Sequence, residues 1–184
     1  MHYLRSFVLT LILVSLGVTG AFAQEDMEHK MGHGIEKAVA LLHPTDGSEV
    51  HGTVTFTRVE NGVRVQAEVM GFDKDGKHGF HIHEYGDCTA ADGTSAGGHF
   101  NPQDMKHAGP MDDMRHIGDM GNLEVKNGKA TMDYIDPKIT MEGVNSILGR
   151  GVIVHKGEDD LESQPTGAAG PRAACGVIGV MNTE

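Results

Sequence analysis

Short segments in which apolar residues recur at every second position constrain the fold of this chain more than any other feature. Residues 50–69 contain two such runs, and the dipeptide Asn61-Gly62, which type I′ hairpin turns prefer, joins them. A second hairpin is predicted over residues 122–134, around Asn127-Gly128. Alternation of this kind, interrupted by Asn-Gly, predicts antiparallel strands connected by tight turns.

Three further strands are predicted at residues 79–83, 151–155 and 176–180, because each segment is short and either rich in Val and Ile or alternating. The chain has 26 glycines and lacks tryptophan, a balance that suits many turns and short strands. No stretch of the sequence has the apolar period of a helix. We therefore expect an all-β fold built as one domain over residues 35–184.

Two long segments, residues 86–118 and 156–174, do not follow the strand pattern. Both are rich in Gly, Asp and Pro, and the first also contains several histidines. Loops longer than about 15 residues are uncommon in compact domains unless they are functional or disordered. We expect the histidines and cysteines in and beside these segments to hold them in place.

The N-terminus has the pattern of a secretory signal peptide. Arg5 precedes an apolar run of about a dozen residues, and small residues follow at Ala21 and Ala23. The run is shorter than the roughly 20 residues that span a bilayer, which argues against a membrane anchor. We predict a signal peptide over residues 1–23 and export of a chain without a membrane anchor.

Residues 24–34 form a polar lead-in with no apolar period, which predicts disorder. Its His29, His33, Met27 and Met31 leave two interpretations open, a solvated tail or an accessory segment that collects copper. The formal net charge of the whole chain is −11, and an acidic surface makes nucleic acid an unfavourable partner.

Cys88 and Cys175 are the two cysteines of the sequence. An exported chain meets an oxidising compartment, so one intramolecular disulfide is the natural pairing. Free structural thiols and thiolate metal ligands remain alternatives, although no CxxC spacing is present.

Histidines supply the strongest functional signal. His81 and His83 lie two residues apart in a predicted strand, so their side chains share a face while Ile82 points to the opposite one. Farther along the chain come His99, His107, His116, Asp119 and His155. Six imidazoles and one carboxylate suit zinc and copper, and this ligand type excludes calcium and magnesium as the main ions.

Four ordered motifs resemble the copper, zinc superoxide dismutase family. They are residues 79–84 (GFHIHE), 94–102 (TSAGGHFNP), 115–122 (RHIGDMGN) and 175–180 (CGVIGV). The resemblance extends from about residue 38 to residue 180. It implies an eight-stranded Greek-key β sandwich or flattened barrel, and an enzyme that disproportionates superoxide to dioxygen and hydrogen peroxide.

The resemblance also implies a role for each site residue. It implies copper ligands at His81, His83, His99 and His155 and zinc ligands at His99, His107, His116 and Asp119. His99 would then bridge both ions and take part in catalysis by carrying a proton to the developing peroxide. Asp159 matches an outer carboxylate that orients ligands of both metals, Arg172 matches the arginine that receives the anion, and Cys88 and Cys175 match the family disulfide.

Two features depart from the common family pattern. The segment 161–165, where many members have a steering lysine, has none, which leaves Lys77, Lys106 and Lys156 as substitutes. Cys88 lies earlier than in eukaryotic members, which resembles the bacterial branch and implies a periplasmic protein. Bacterial members include monomers and dimers, so the resemblance allows a homodimer.

Two other functions are compatible with parts of this pattern. A non-catalytic copper- and zinc-binding or metal-delivery domain on the same fold should lack a copper ligand or Arg172. A zinc-only structural module would not need His81, His83 and His155 together. Both predictions disagree with the residues present, and the dismutase is the function that the sequence favours.

Overall fold

The computed structural model describes residues 34–183, which form nine strands and a three-residue 3-10 helix, Thr94–Ala96. The strands are β1 (Lys37–Pro44), β2 (His51–Val59), β3 (Gly62–Met70), β4 (Gly76–His83), β5 (Asp119–Val125), β6 (Lys129–Asp136), β7 (Gly151–His155), β8 (Arg172–Val177) and β9 (Gly179–Val180). The predicted signal peptide and residues 24–33 of the predicted lead-in lie outside the described residues. None of the described residues belongs to a helix that is long and apolar enough to cross a membrane.

Eight of the strands form a nearly closed antiparallel barrel. Their order is β5-β4-β7-β8-β1-β2-β3-β6, and β9 pairs with β1. The pairs β4–β7 and β3–β6 join strands that are not consecutive in the chain, as Greek-key connections do. The predicted all-β, eight-stranded fold is therefore confirmed.

The predicted strands are present with two differences. The strand predicted over residues 176–180 is interrupted at Ile178, because the Ile178 backbone pairs with Arg150 and Gly149 in the loop before β7. The interruption separates β8 from β9. The sequence analysis did not predict β1, whose buried positions include the small residues Ala38 and Ala40 and so give only a weak apolar alternation.

The two Asn-Gly dipeptides adopt different turns. Asn127 and Gly128 both have positive φ, 53° and 72°, and Lys126 and Lys129 hydrogen-bond across them, as in a type I′ turn. At the other hairpin, the last strand pair is Val59 with Gly62, so Gly62 begins β3 with φ 136° and Asn61 lacks a positive φ. The type I′ prediction is therefore wrong for Asn61-Gly62, although the hairpin itself forms.

The barrel interior is apolar, and the predicted functional residues lie beside it on β4, β7 and two loops. Phe56, Phe80, Ile82, Leu123 and Ile147 are fully buried in one cluster. Residues 84–118 form the first long loop, between β4 and β5, and residues 156–171 form the second long loop, between β7 and β8. The two long loops thus follow β4 and β7, two strands that pair with each other inside the sheet.

Candidate metal centre

The strand group consists of His81, His83, His99 and His155. Each offers one ring nitrogen, and the four nitrogens lie within 4.8 Å of one another. His81 and His83 project from β4, and His155 is the last residue of β7, which pairs with β4. His99 comes from the first long loop and is placed next to His83 by an isolated antiparallel bridge. Sheet pairing thus positions three of the four imidazoles.

The nitrogens that converge in the strand group are buried and have no internal acceptor or donor. Nδ1 of His81 and Nε2 of His83, His99 and His155 find no hydrogen-bond partner among residues 34–183. Buried polar atoms in proteins are nearly always paired, so four such atoms facing one point require an explanation. A metal ion that prefers imidazole nitrogen provides one, and copper has that preference.

The second ring nitrogen of each strand histidine is fastened to the protein. Nδ1 of His83 donates to Gly97 O and Nδ1 of His155 donates to Gly170 O, both at 2.9 Å. Because a carbonyl oxygen only accepts, these bonds place the ring hydrogen on Nδ1 and the lone pair on Nε2. Each imidazole therefore presents a lone pair toward the centre of the group.

The loop group consists of His99, His107, His116 and Asp119, whose ligand atoms also lie within 4.8 Å of one another. Nδ1 atoms of the three histidines approach one carboxylate oxygen, Asp119 Oδ1, at 2.8, 3.0 and 3.2 Å respectively. The other oxygen, Oδ2, accepts from the backbone N–H groups of His116 and Ala108. Three imidazoles and one oriented carboxylate match the ligands of a closed tetrahedral zinc site.

Asp159 connects the two groups from the second long loop. Its Oδ2 lies 2.6 Å from His81 Nε2, and its Oδ1 lies 2.9 Å from His107 Nε2. Asn122 on β5 holds the backbone of Asp159 through two hydrogen bonds of 2.8 Å. Asp159 is thus placed to orient one histidine of each group, as an outer carboxylate does around a metal. The sequence analysis did not identify Asn122.

Burial keeps the strand histidines neutral. Desolvation lowers the pKa of His81 to about 3 and the pKa of His155 to about 4, and it also lowers the pKa of His83 and of His99. An imidazole must be unprotonated to ligate a metal, so these groups are in the binding form at neutral pH.

In the loop group, neighbouring carboxylates outweigh the effect of burial on the pKa of His107. Burial alone would lower the pKa of His107, but hydrogen bonds and charge from Asp119 and Asp159 outweigh it and raise the pKa to about 9. Burial also opposes ionisation of the two carboxyls, and the hydrogen bonds from the neighbouring histidines lower the pKa of each below its ordinary value. The ionised carboxylates of Asp119 and Asp159 thus stabilise positive charge at His107, and a divalent cation in the loop group would take the place of that proton.

Arg172 begins β8 and lies beside the strand group. It pairs with His155 across the sheet, and its guanidinium donates to Gly97 O at 2.5 Å and to Gly93 O. Its positive charge contributes to the lowered pKa of His83 and His155. A half-buried arginine held in this way offers a fixed positive charge and N–H donors to a small anion.

One disulfide and one buried ion pair anchor the first long loop. The predicted disulfide between Cys88 and Cys175 is present and joins the loop to β8. Arg115, which the sequence analysis did not single out, forms a fully buried ion pair of 2.6 Å with Asp136 on β6 and donates to His116 O. Nothing in the local sequence marks this pair, because its partners are 21 residues apart.

Two of the three lysines considered as substitutes for a steering lysine have local partners. Lys77 forms an ion pair of 3.2 Å with Glu158. Lys156 donates to the carbonyl oxygens of Asp46 and Gly47, each at 3.2 Å. Arg172, by contrast, contributes to the lowered pKa of two strand-group histidines, His83 and His155.

Comparisons with known proteins agree with this geometry. The family model described as copper/zinc superoxide dismutase (SODC) matches residues 50–178. Extracellular superoxide dismutase [Cu-Zn] of Drosophila melanogaster is 42% identical over 182 residues, covering 92% of this chain and 97% of the relative. Superoxide dismutase [Cu-Zn] of Yarrowia lipolytica is 48% identical over 153 residues, covering 78% of this chain and 97% of the relative. A crystal structure of the clock protein EA4 has a TM-score of 0.73 and 39% identity, covering 82% of this chain and 98% of that one.

Proposed function

The chain belongs to the copper/zinc superoxide dismutase family, and we propose that its strand group holds the copper ion and its loop group the zinc ion. It is an oxidoreductase that converts superoxide to dioxygen and hydrogen peroxide with these two metals as cofactors. The observation that carries the assignment is the convergence of four buried imidazole nitrogens that lack a hydrogen-bond partner within residues 34–183.

When bound, copper supplies the one-electron redox chemistry that disproportionation needs, while zinc, which has no redox cycle, is structural. The chain's own residues supply the rest. His99 belongs to both groups, with Nε2 toward the strand group and Nδ1 toward Asp119. We assign to His99 Nε2, which has no hydrogen-bond partner among residues 34–183, the uptake of a proton from solvent and its transfer to the peroxide product.

Arg172 is proposed to bind and orient the superoxide anion. The carbonyl oxygens of Gly93 and Gly97 hold the guanidinium, so little side-chain freedom is lost when the anion arrives. Asp159 keeps His81 and His107 in the orientations in which their remaining nitrogens face the two groups. The alternative of a non-catalytic metal-delivery domain is disfavoured, since this chain retains the complete ligand set and Arg172.

Export and processing follow from the sequence pattern. We propose that residues 1–23 are removed as a signal peptide, that residues 24–34 are a lead-in to the mature chain, and that residues 35–184 are the enzyme domain. One of the relatives is an extracellular enzyme by name, which supports a secreted protein. The periplasm is the compartment that we propose, and mass spectrometry of the mature protein from a periplasmic fraction tests both the cleavage site and the location.

An exposed apolar surface supports a homodimer. Leu41, Tyr85 and Val177 are 57%, 58% and 42% exposed. Leu41 and Val177 line one shallow pocket, and Gly86, next to Tyr85, approaches the Val177 side chain closely. Sedimentation equilibrium should give twice the chain mass for the wild type and the single chain mass for Val177→Glu. A monomeric wild type would overturn the homodimer.

Metal content and superoxide consumption, measured on the same sample, test the proposed assignment. We expect one copper and one zinc per chain by elemental analysis, together with fast superoxide consumption by pulse radiolysis. Removal of copper by a selective chelator should abolish consumption and leave the zinc in place. A sample that consumes superoxide equally fast after complete copper removal would contradict the assignment of the strand group.

A further inference from the structure

We propose that Gln164, in the second long loop, is a positioning residue that fixes the backbone of the zinc ligand His107. The inference rests on the proposed function only in that His107 is taken to bind zinc. Segment 161–165 lacks the lysine that many family members have there, and we assign it a different role. This segment fastens one loop to the other instead of steering the substrate.

The contact is a pair of hydrogen bonds between one side-chain amide and both backbone groups of one residue. His107 N donates to Gln164 Oε1 at 2.9 Å, and Gln164 Nε2 donates to His107 O at 2.9 Å. Gln164 Nε2 also donates to Glu162 O at 3.0 Å, a contact that restricts rotation of the side-chain amide. The amide thus pairs with His107 as a neighbouring strand would.

His107 needs such a partner because no strand supports it. His81 and His83 have backbone partners on β7, whereas His107 lies within the first long loop. Its ring is held at both nitrogens, by Asp119 and Asp159, but neither of these contacts involves the backbone N–H or C=O group of His107. The Gln164 amide hydrogen-bonds with both of these backbone groups.

The second long loop is built to present this amide. The Asp160 carboxylate accepts from the backbone N–H groups of Glu162 and Ser163, and Gly167 N donates to Ser163 O at 2.7 Å. A side chain at Gly167, whose φ is 66°, would place Cβ 2.6 Å from His107 Nε2 and 1.8 Å from Asp159 Oδ1. Glycine at this position therefore lets the loop approach the loop group closely.

Glutamine is chemically suited to this position. A carboxamide offers a donor and an acceptor side by side, whereas lysine only donates and an ionised carboxylate only accepts. Gln164→Met keeps the length of the side chain and removes both hydrogen bonds, and Gln164→Glu keeps only the acceptor. Gln103 is a matched control, because it is also exposed, lies in the first long loop and donates to Asn145 Oδ1 at 3.2 Å.

The test compares metal release from holoenzyme loaded with copper and zinc, using the full mature chain and the variants Gln164→Met, Gln164→Glu and Gln103→Met. A colorimetric chelator reports zinc release, and a copper-selective chelator reports copper release. Loss of an outer partner of a metal ligand typically costs 10- to 100-fold in affinity. We expect zinc release from Gln164→Met to be about 10-fold faster, Gln164→Glu to be intermediate, and copper release to be unchanged.

A spectroscopic measurement separates positioning from general loosening of the fold. Cobalt(II) placed in the zinc site gives visible d–d absorption that depends on ligand geometry. This spectrum should change in Gln164→Met and stay the same in Gln103→Met. Zinc release and a cobalt spectrum identical to those of the wild type would overturn the inference. Equally accelerated release of zinc and copper would also overturn it, whereas a wild type that binds no zinc would overturn the proposed function itself.

Discussion

The strand group and the loop group share His99 but are assembled in different ways. In the strand group, three imidazoles project from β4 and β7, and the ladder between these strands positions them. In the loop group, all three imidazoles belong to the first long loop, and only Asp119 begins a strand. Formation of the barrel therefore positions three of the four ligands of the strand group. The loop group depends on contacts that fasten a loop of Gly, Asp and Pro.

This difference predicts that the loop group is more sensitive than the strand group to the loss of a single stabilising contact. Three of the four ligand atoms of the strand group are in place once the sheet has formed, because backbone pairing determines which face each side chain occupies. The loop group must overcome the conformational entropy of about 35 loop residues before its four ligand atoms meet. Its fastenings are the disulfide, the Arg115–Asp136 ion pair, the Asp159 bridge and the Gln164 amide.

The largest effect is expected from a change in the strand group. His83→Ala removes one of four converging nitrogens and should reduce superoxide consumption by more than about 100-fold, while zinc content stays at one per chain. Pulse radiolysis and elemental analysis measure the two quantities. His51→Ala, at an exposed histidine of β2, is the control and should behave like the wild type. If His83→Ala retains its activity, His83 is not a copper ligand.

The next largest effect is expected from loss of the disulfide, which joins the first long loop to β8. Replacing both Cys88 and Cys175 by Ala opens a loop whose ends are 87 positions apart, which should lower the free energy of unfolding by roughly 4 to 5 kcal/mol. Guanidinium denaturation of the metal-loaded protein measures the loss. Reduced wild type should show a similar loss, and a variant as stable as the oxidised wild type would contradict the proposed dependence on this fastening.

Asp119→Asn tests the loop group directly. The amide cannot provide the charge to which three histidines are attracted, so zinc affinity should fall by about 100-fold. Copper affinity should change much less, because three strand-borne imidazoles remain in place. Competition with a chelator of known affinity measures both metals. Equal losses for zinc and copper would show that the two groups do not form independently.

Arg172 lies where the two regions meet, since it begins β8 and donates to carbonyl oxygens of the first long loop. Arg172→Glu reverses the charge beside the strand group and should slow superoxide consumption by about 10-fold or more at low salt. The effect should shrink as ionic strength rises, because salt screens the interaction. A rate unchanged at every ionic strength would place the anion elsewhere.

The smallest effect is expected at Asp92, an exposed carboxylate in the first long loop. Its charge acts on Arg172 and raises the arginine pKa against the lowering by burial, so it weakens the positive potential offered to the anion. Asp92→Asn keeps an oxygen for Thr94 and should increase the rate about 2-fold at low salt only. Glu60→Gln, with the same change in charge at the β2–β3 turn, should leave the rate unchanged.

Much of the fold could be predicted from local patterns. The hairpin around Asn127-Gly128 formed as predicted, since the turn chemistry and the strand alternation agree. The turn at Asn61-Gly62 differed, because pairing of Val59 with Gly62 makes Glu60 and Asn61 the central residues and places Gly62 in β3. The break at Ile178 was also missed, since its backbone partners come from residues 149 and 150.

The sequence alone determined which chemistry this chain can perform. Six histidines, one aspartate and an arginine in ordered motifs indicate copper, zinc and a small anion, because ligand type selects the metal. Only the tertiary structure decided which nitrogen of each strand-group ring is left without a hydrogen-bond partner, and how Asn122, Arg115 and Gln164 hold the loops. These contacts join residues 21 to 57 positions apart. Local sequence patterns do not encode such pairs, because they form only when the barrel brings its loops together.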